Sequence, residues 1–226
     1  MTSKPGAPTQ EYEVALKESI ATWNERAAGW DSQKEAQTYA EQAFSTLEPL
    51  LIAELPVGVR PRVLDFGAGT GLLTAKLLPL AKEVVAIDIA DQMLKVLGER
   101  IEQEGWTKIK PVCGDLLDQA IRSQPIFQAP FDLIVASSVC SFLPDYPAFL
   151  DVVSKLLSPQ GIFVQWDWLA NEAGDWASGF SLEQIENAYS ANGLQSVRVG
   201  KGFVFEFQGK ELDVLMGVAR KLLADC

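Results

Sequence analysis

One stretch, Val63-Leu64-Asp65-Phe66-Gly67-Ala68-Gly69-Thr70-Gly71, restricts this chain more than any other, because it asks for one backbone path and one kind of ligand. An apolar run of strand type ends in an acid and passes into three glycines alternating with small residues. Such a backbone turns tightly and lets a ligand approach with no Cβ in the way. Leu72, Leu73, Leu77 and Leu78 then recur at helical spacing, so the turn opens a helix. The first N–H groups of that helix and its positive dipole end point at whatever lies over the loop, which marks a nucleotide-type site. A strand-loop-helix corner without a ligand is the plainer reading of the same residues.

A dinucleotide-binding turn has the form G-x-G-x-x-G, its third glycine packing helix on strand. Here the glycines are Gly67, Gly69 and Gly71, and Asp65 stands two residues before the first. A carboxylate at that place sits badly beside a pyrophosphate and well beside an ammonium or sulfonium group, which counts against an NAD-dependent oxidoreductase. The stretch resembles the first motif of class I S-adenosylmethionine-dependent methyltransferases, in particular their small-molecule members of type 11/12. The resemblance covers about residues 60–222. It implies an α/β fold: a Rossmann-like seven-stranded, mostly parallel sheet with one antiparallel strand, helices on both faces and an N-terminal helical cap.

Residues 1–9, with Pro5, Gly6 and Pro8, read as a disordered start. Residues 10–58 read as a cap of two helices, and residues 59–226 as a single cofactor-binding domain. In the first helix Tyr12, Leu16, Ile20, Trp23, Ala27 and Trp30 form one stripe. In the second, from about Ser32 to Glu54, the inner face is Ala36, Tyr39, Ala43, Phe44, Leu47 and Leu51, and Pro56 and Gly58 end it. The pair is expected over the ligand-binding edge of the sheet or as a flap beside it.

Asp88 closes a second strand about 21 residues beyond Gly67, a distance that suits a carboxylate accepting hydrogen bonds from a ribose diol and that NAD-binding folds share. From there the resemblance supplies the cofactor residues. It places Asp65 at the amino-acid end of S-adenosylmethionine, with Gly67, Ala68, Gly69 and Gly71 under it. Ile89 and Met93 lie near the adenine, Gly114, Asp115 and Leu116 follow a third strand to hold the adenine amino group and ring, and Ser137 ends a fourth strand beside the cofactor. Met93 reads equally well as core, and Asp115 as a helix cap.

The acceptor side is less well written. Trp30, Phe142, Trp166 and Trp168 are the candidate substrate residues, with Trp176 and Phe180 extending a hydrophobic wall after the fifth strand. Trp30 reads also as an anchor of the cap. Ser141 and Phe142 stand where the family often has histidines. An Asn-Pro-Pro-Tyr segment, which marks amino methylation of adenine or glutamine, is missing, as is the acidic pair of a magnesium-dependent catechol site. The chain has no histidine at all, so a base would have to be another group; Asp167 and Asp145, at strand ends, are the candidates, and both read also as caps or loop hydrogen-bonders.

A net charge of −11 and no Lys/Arg cluster argue against nucleic acid as partner. Three cysteines, Cys113, Cys140 and Cys226, share no ligand spacing, so no metal is expected. No apolar run reaches a membrane-spanning length and no leader is recognisable, which predicts a cytoplasmic monomer or homodimer. The expected activity is methyl transfer to a small, partly apolar acceptor. A protein that keeps the cofactor pocket without acceptor chemistry, and use of a decarboxylated cofactor as in polyamine synthases, remain alternatives.

Overall fold

Seven strands form one sheet in the order β3-β2-β1-β4-β5-β7-β6. They are β1 (Arg62–Phe66), β2 (Glu83–Asp88), β3 (Ile109–Cys113), β4 (Phe131–Ser137), β5 (Leu157–Trp168), β6 (Leu194–Phe207) and β7 (Lys210–Lys221). β1 pairs in parallel with β2 and β4, β2 with β3, and β4 with β5, whereas β7 runs antiparallel to both β5 and β6. One strand therefore opposes the rest, as the sequence leads one to expect. The computed structural model describes residues 9–54, 58–170, 179–207 and 209–222. The expected start over residues 1–8, Pro56, Trp176 and Cys226 lie outside the described residues.

Period-two alternation along the central strands feeds two apolar layers. Val63, Leu133, Val135, Ile162, Val164 and Trp166 face one side, where α2 (Lys34–Glu54) and α3 (Leu72–Leu77) cover them. Leu64, Phe66, Ile134, Ala136 and Phe163 face the other, under α6 (Tyr146–Leu156) and α7 (Leu182–Ala191), with Phe66 stacked on Phe149 at 4.3 Å. α4 (Asp91–Glu104) closes a third patch through Leu94 and Leu97, and the short α5 (Gln119–Arg122) follows β3. Ser181 and Gln184 form a capping box at the start of α7, as their spacing predicts.

Two expectations about these elements change. The second helix is a layer of the fold rather than part of a cap: Tyr39, Ala43, Leu47 and Leu51, four residues apart, give it an apolar stripe that closes a sheet face. α1 (Gln10–Ala27) and the 3-10 turn Trp30–Ser32 lie over the crevice, with the first turns of α2 beside them, and α1 buries a single residue, Ala27. The Ser158-Pro159-Gln160-Gly161 segment, whose proline and glycine suit a turn, instead falls within β5, as an irregularity between the pairs Leu157–Phe131 and Ile162–Leu133. A Cβ on Gly161 would stand 2.8 Å from the Phe131 carbonyl oxygen, so this irregularity needs glycine. Pro111, which has no N–H to give, lies in β3 at the sheet edge.

Candidate functional site

Strand order reverses between β1 and β4, which opens a crevice at their C-terminal ends. A cavity of about 250 Å³ occupies it. Its floor is the glycine loop, in which Gly67, Gly69 and Gly71 have φ of 70°, 54° and 83°. At Gly67 a Cβ would meet Val139 at 2.6 Å, so the residue after β4 packs directly on the loop. Gly71 is equally constrained, 2.4 Å from a Leu97 methyl.

Three carboxylates ring the cavity. Asp88 braces the loop, its Oδ2 accepting from the Gly69 N–H and its Oδ1 from the Ala90 N–H, both at 2.8 Å. Asp65 is 1% exposed and accepts from the Thr74 hydroxyl at 2.5 Å. Burial pushes its pKa up to about 7; the Thr74 bond offsets part of this and the charge of Asp88 adds to it. Asp115 accepts from the Leu117 N–H through Oδ1 at 2.8 Å and from the Tyr12 hydroxyl through Oδ2 at 2.6 Å. Asp115 thus holds a turn and lines the cavity, while the helix cap falls to Asp118. Among the described residues, Glu35 is the remaining charged residue of the lining, which contains no lysine or arginine. A buried carboxylate without a cation calls for a ligand that brings positive charge, and a pyrophosphate would find none.

The cap is tied to this floor by side chains. The Thr70 hydroxyl donates to Asp31 at 2.5 Å, and Arg100 reaches Asp31 at 3.4 Å and the Thr70 carbonyl at 3.1 Å. Asn24 donates to Asp91 at 2.8 Å. Trp23 meets Trp30 and Phe142 edge-on at 5.7 and 5.5 Å, joining α1, the 3-10 turn and the segment after β4.

Of the sequence-derived residues, Asp65, Gly67, Ala68, Gly69, Asp88, Ile89, Met93, Gly114, Asp115, Ser137, Trp30, Phe142 and Trp168 line the cavity. Gly71 shapes the loop behind it. Five others are placed differently. Leu116 is fully buried in the core, because the chain turns inward after Asp115. Trp166 is fully buried two residues deeper along β5 than Trp168, on the same face, and donates from Nε1 to the Thr46 hydroxyl at 2.9 Å. Asp167 points to the opposite face. There it accepts from the Ser141 N–H and from Gln165 Nε2, both at 3.1 Å, while Gln165 Oε1 accepts from Tyr146 at 2.5 Å and Tyr189 at 3.0 Å. Burial raises the Asp167 pKa to about 7, and the residue is a structural hub rather than a base. Asp145 caps α6, accepting from the Ala148 N–H at 2.9 Å. Phe180 packs on Tyr146 at 4.8 Å, away from the cavity.

Tyr12, Leu16, Trp23, Tyr39, Ser138, Val139, Phe205 and Phe207 also line the cavity and were not singled out as site residues by sequence. The stripe of α1 carried a signal for the first three. Phe205 and Phe207 alternate correctly along β6, but only the sheet order brings them here.

A methyltransferase-domain family model matches residues 64–163, the segment from the glycine strand to the fifth strand. An uncharacterised methyltransferase of Schizosaccharomyces pombe is 31% identical over 102 residues, 44% of this chain and 36% of that protein. The trans-aconitate 2-methyltransferase of Azoarcus sp. is 30% identical over 136 residues, 59% of this chain and 48% of that protein. The chain thus spans less than half the length of either relative. Its fold is that of the N-methyltransferase NodS of Bradyrhizobium japonicum, solved with S-adenosylhomocysteine: TM-score 0.68 at 20% identity, covering 90% of this chain and 98% of that one. The likeness to solved S-adenosylmethionine-dependent methyltransferases is one of fold, and the family match is confined to residues 64–163. Among the described residues no group of three or more His, Cys, Asp or Glu is arranged to hold a metal, and no helix is long and apolar enough to cross a membrane.

Proposed function

We propose that this chain binds S-adenosylmethionine in the crevice and transfers its methyl group to a small-molecule acceptor by in-line displacement. The observation that carries the reading is the ring of Asp65, Asp88 and Asp115 around a left-handed glycine loop in a cavity lined by no cation. Asp65 faces the cationic amino-acid end, Asp88 the ribose hydroxyls and Asp115 the adenine amino group, with Met93 and Ile89 against the ring. When bound, the cofactor supplies a methyl group activated on a sulfonium sulfur.

The protein's own part is placement. It holds an acceptor atom in line with the sulfur and the methyl carbon at roughly 3 Å and keeps water out, and orientation of this kind supplies on the order of 7–11 kcal/mol. With Asp145 and Asp167 committed to backbone and side-chain partners and no histidine in the chain, positioning carries the acceleration. The acceptor proton then passes to water. Calorimetric titration with S-adenosylmethionine, S-adenosylhomocysteine and NAD tests the reading: micromolar binding of the two sulfur nucleosides and none of NAD supports it. Binding of NAD alone replaces it with hydride transfer. The reading places the protein in the cytoplasm, as a monomer or homodimer without nucleic-acid or membrane partners.

A further inference from the structure

Beyond the cofactor residues, one wall of the cavity comes from α2 and from the far side of the sheet. Tyr39, Trp168, Phe205 and Phe207 form it, with Leu72 and Leu73 beside them. Tyr39 meets Trp168, Phe203 and Phe205 edge-on at 5.6, 5.2 and 5.3 Å, so the ring is held on three sides. Its hydroxyl is nevertheless a loose end. Tyr39 is 8% exposed and its oxygen is buried with no hydrogen-bond partner. The Ser138 side chain faces that oxygen, but no bond of normal geometry joins them.

Ser138 is itself unusual. It has a φ of 54°, making it the single non-glycine residue in the left-handed region among the described residues, and its N–H is pinned to the Trp166 carbonyl at 2.7 Å. Backbone strain of this kind persists where surrounding structure enforces it, and it gathers at ligand sites. A buried, unpaired hydroxyl and a half-buried one on a strained backbone thus stand together in an aromatic wall. Buried polar groups are normally satisfied, so the unpaired hydroxyl points to a partner that arrives with a ligand. Burial drives the Tyr39 pKa well above its ordinary value, so the group donates rather than ionises. The absence of lysine and arginine from the lining means that a carboxylate or phosphate would be desolvated with no counter-charge.

We propose that this wall is the acceptor subsite and that Tyr39 and Ser138 together read one uncharged oxygen, a hydroxyl or carbonyl, on an otherwise apolar ring-bearing molecule. Tyr39 donates to the ligand oxygen; Ser138 accepts from a ligand hydroxyl or donates to a carbonyl. Anionic acceptors are rejected. The assignment rests on the methyl-transfer reading, and the test separates the two.

The probes are 1-naphthol and 1-naphthoate, titrated calorimetrically near neutral pH into the chain saturated with S-adenosylhomocysteine. The expected result is binding of naphthol and at least about tenfold weaker binding of naphthoate. Tyr39→Phe, which keeps the ring and its three edge contacts, weakens naphthol by about fivefold and leaves S-adenosylhomocysteine affinity as it was. Ser138→Gly acts in the same direction on naphthol, and its backbone conformation welcomes glycine, so the variant folds. Equal or tighter binding of naphthoate, silence from both probes, or unchanged naphthol affinity in both variants overturns the subsite. If S-adenosylhomocysteine itself does not bind the unaltered chain, the methyl-transfer reading fails instead. Naphthol titration of the ligand-free chain, with and without the Tyr39 hydroxyl, then decides the subsite alone.

Discussion

In the proposed cofactor site Asp88 has two roles, bracing the glycine loop and facing the ribose, and a substitution touches both. Both carboxylate oxygens already accept a backbone N–H, from Gly69 and from Ala90, so alanine would loosen the glycine loop as well as remove a ribose ligand. Asp88→Asn keeps the size and one acceptor but sets its amide N–H against one of the two loop N–H groups. It is expected to weaken S-adenosylhomocysteine by about tenfold, as loss of a charge-assisted hydrogen bond costs roughly 1.5–3 kcal/mol, and to lower the melting temperature as well, because one loop N–H is left unpaired. Unchanged affinity in the calorimeter would remove Asp88 from the ribose. Asp65 offers a different readout. Its carboxyl titrates near pH 7 because burial penalises the charge, and a cationic ligand group beside it favours ionisation. Binding at about pH 6.5 should therefore release a proton, seen as a heat of binding that varies with the ionisation enthalpy of the buffer, and Asp65→Asn should abolish that variation.

At the scale of elements, the tie between the cap and the loop is the part most open to test. Asp31 accepts from Thr70 and pairs with Arg100, whose side chain is a quarter exposed, so the pair adds little to global stability. Asp31→Ala is expected to lower stability by no more than about 1 kcal/mol while speeding dissociation of S-adenosylhomocysteine, because the 3-10 turn no longer holds α1 down. Stopped-flow release against denaturant melts distinguishes the two effects. The same elements show what a reader of the sequence can and cannot see. The glycine loop, the acids ending β1 and β2, and the antiparallel hairpin were legible because spacing along the chain determines them. Trp166 and Asp167 were misplaced because a strand end was recognised without its depth: one step of two residues separates a buried Trp166 from Trp168 in the cavity, and one residue puts Asp167 on the other face. Tyr39 and Phe205 lie far apart in sequence, and only the order of β5, β7 and β6 brings them into contact.

The whole molecule carries buried acids that bear on its pH response. Asp65 and Asp167 both titrate near pH 7 in the fold, above the ordinary carboxyl value of 3.8, and burial raises Asp88 as well. Between these values the folded chain binds more protons than the unfolded one, so stability falls as pH rises through the window. The ligand-free protein is thus expected to melt at a higher temperature at about pH 6 than at about pH 8, and Asp65→Asn to flatten that slope; a slope of the opposite sign would contradict the burial of these groups.

One further property follows from β6 being the outermost strand. Its outer side pairs with no neighbour in the sheet, whereas the strands beneath the glycine loop are gripped on both sides. The molecule is therefore divided into a fixed half, where the backbone itself does the reading, and an editable half, where Phe205 and Phe207 sit on a strand paired on one side alone among the described residues. Selection from a library randomised over those two positions should yield chains with new acceptor preferences and an unaltered grip on the sulfur nucleoside.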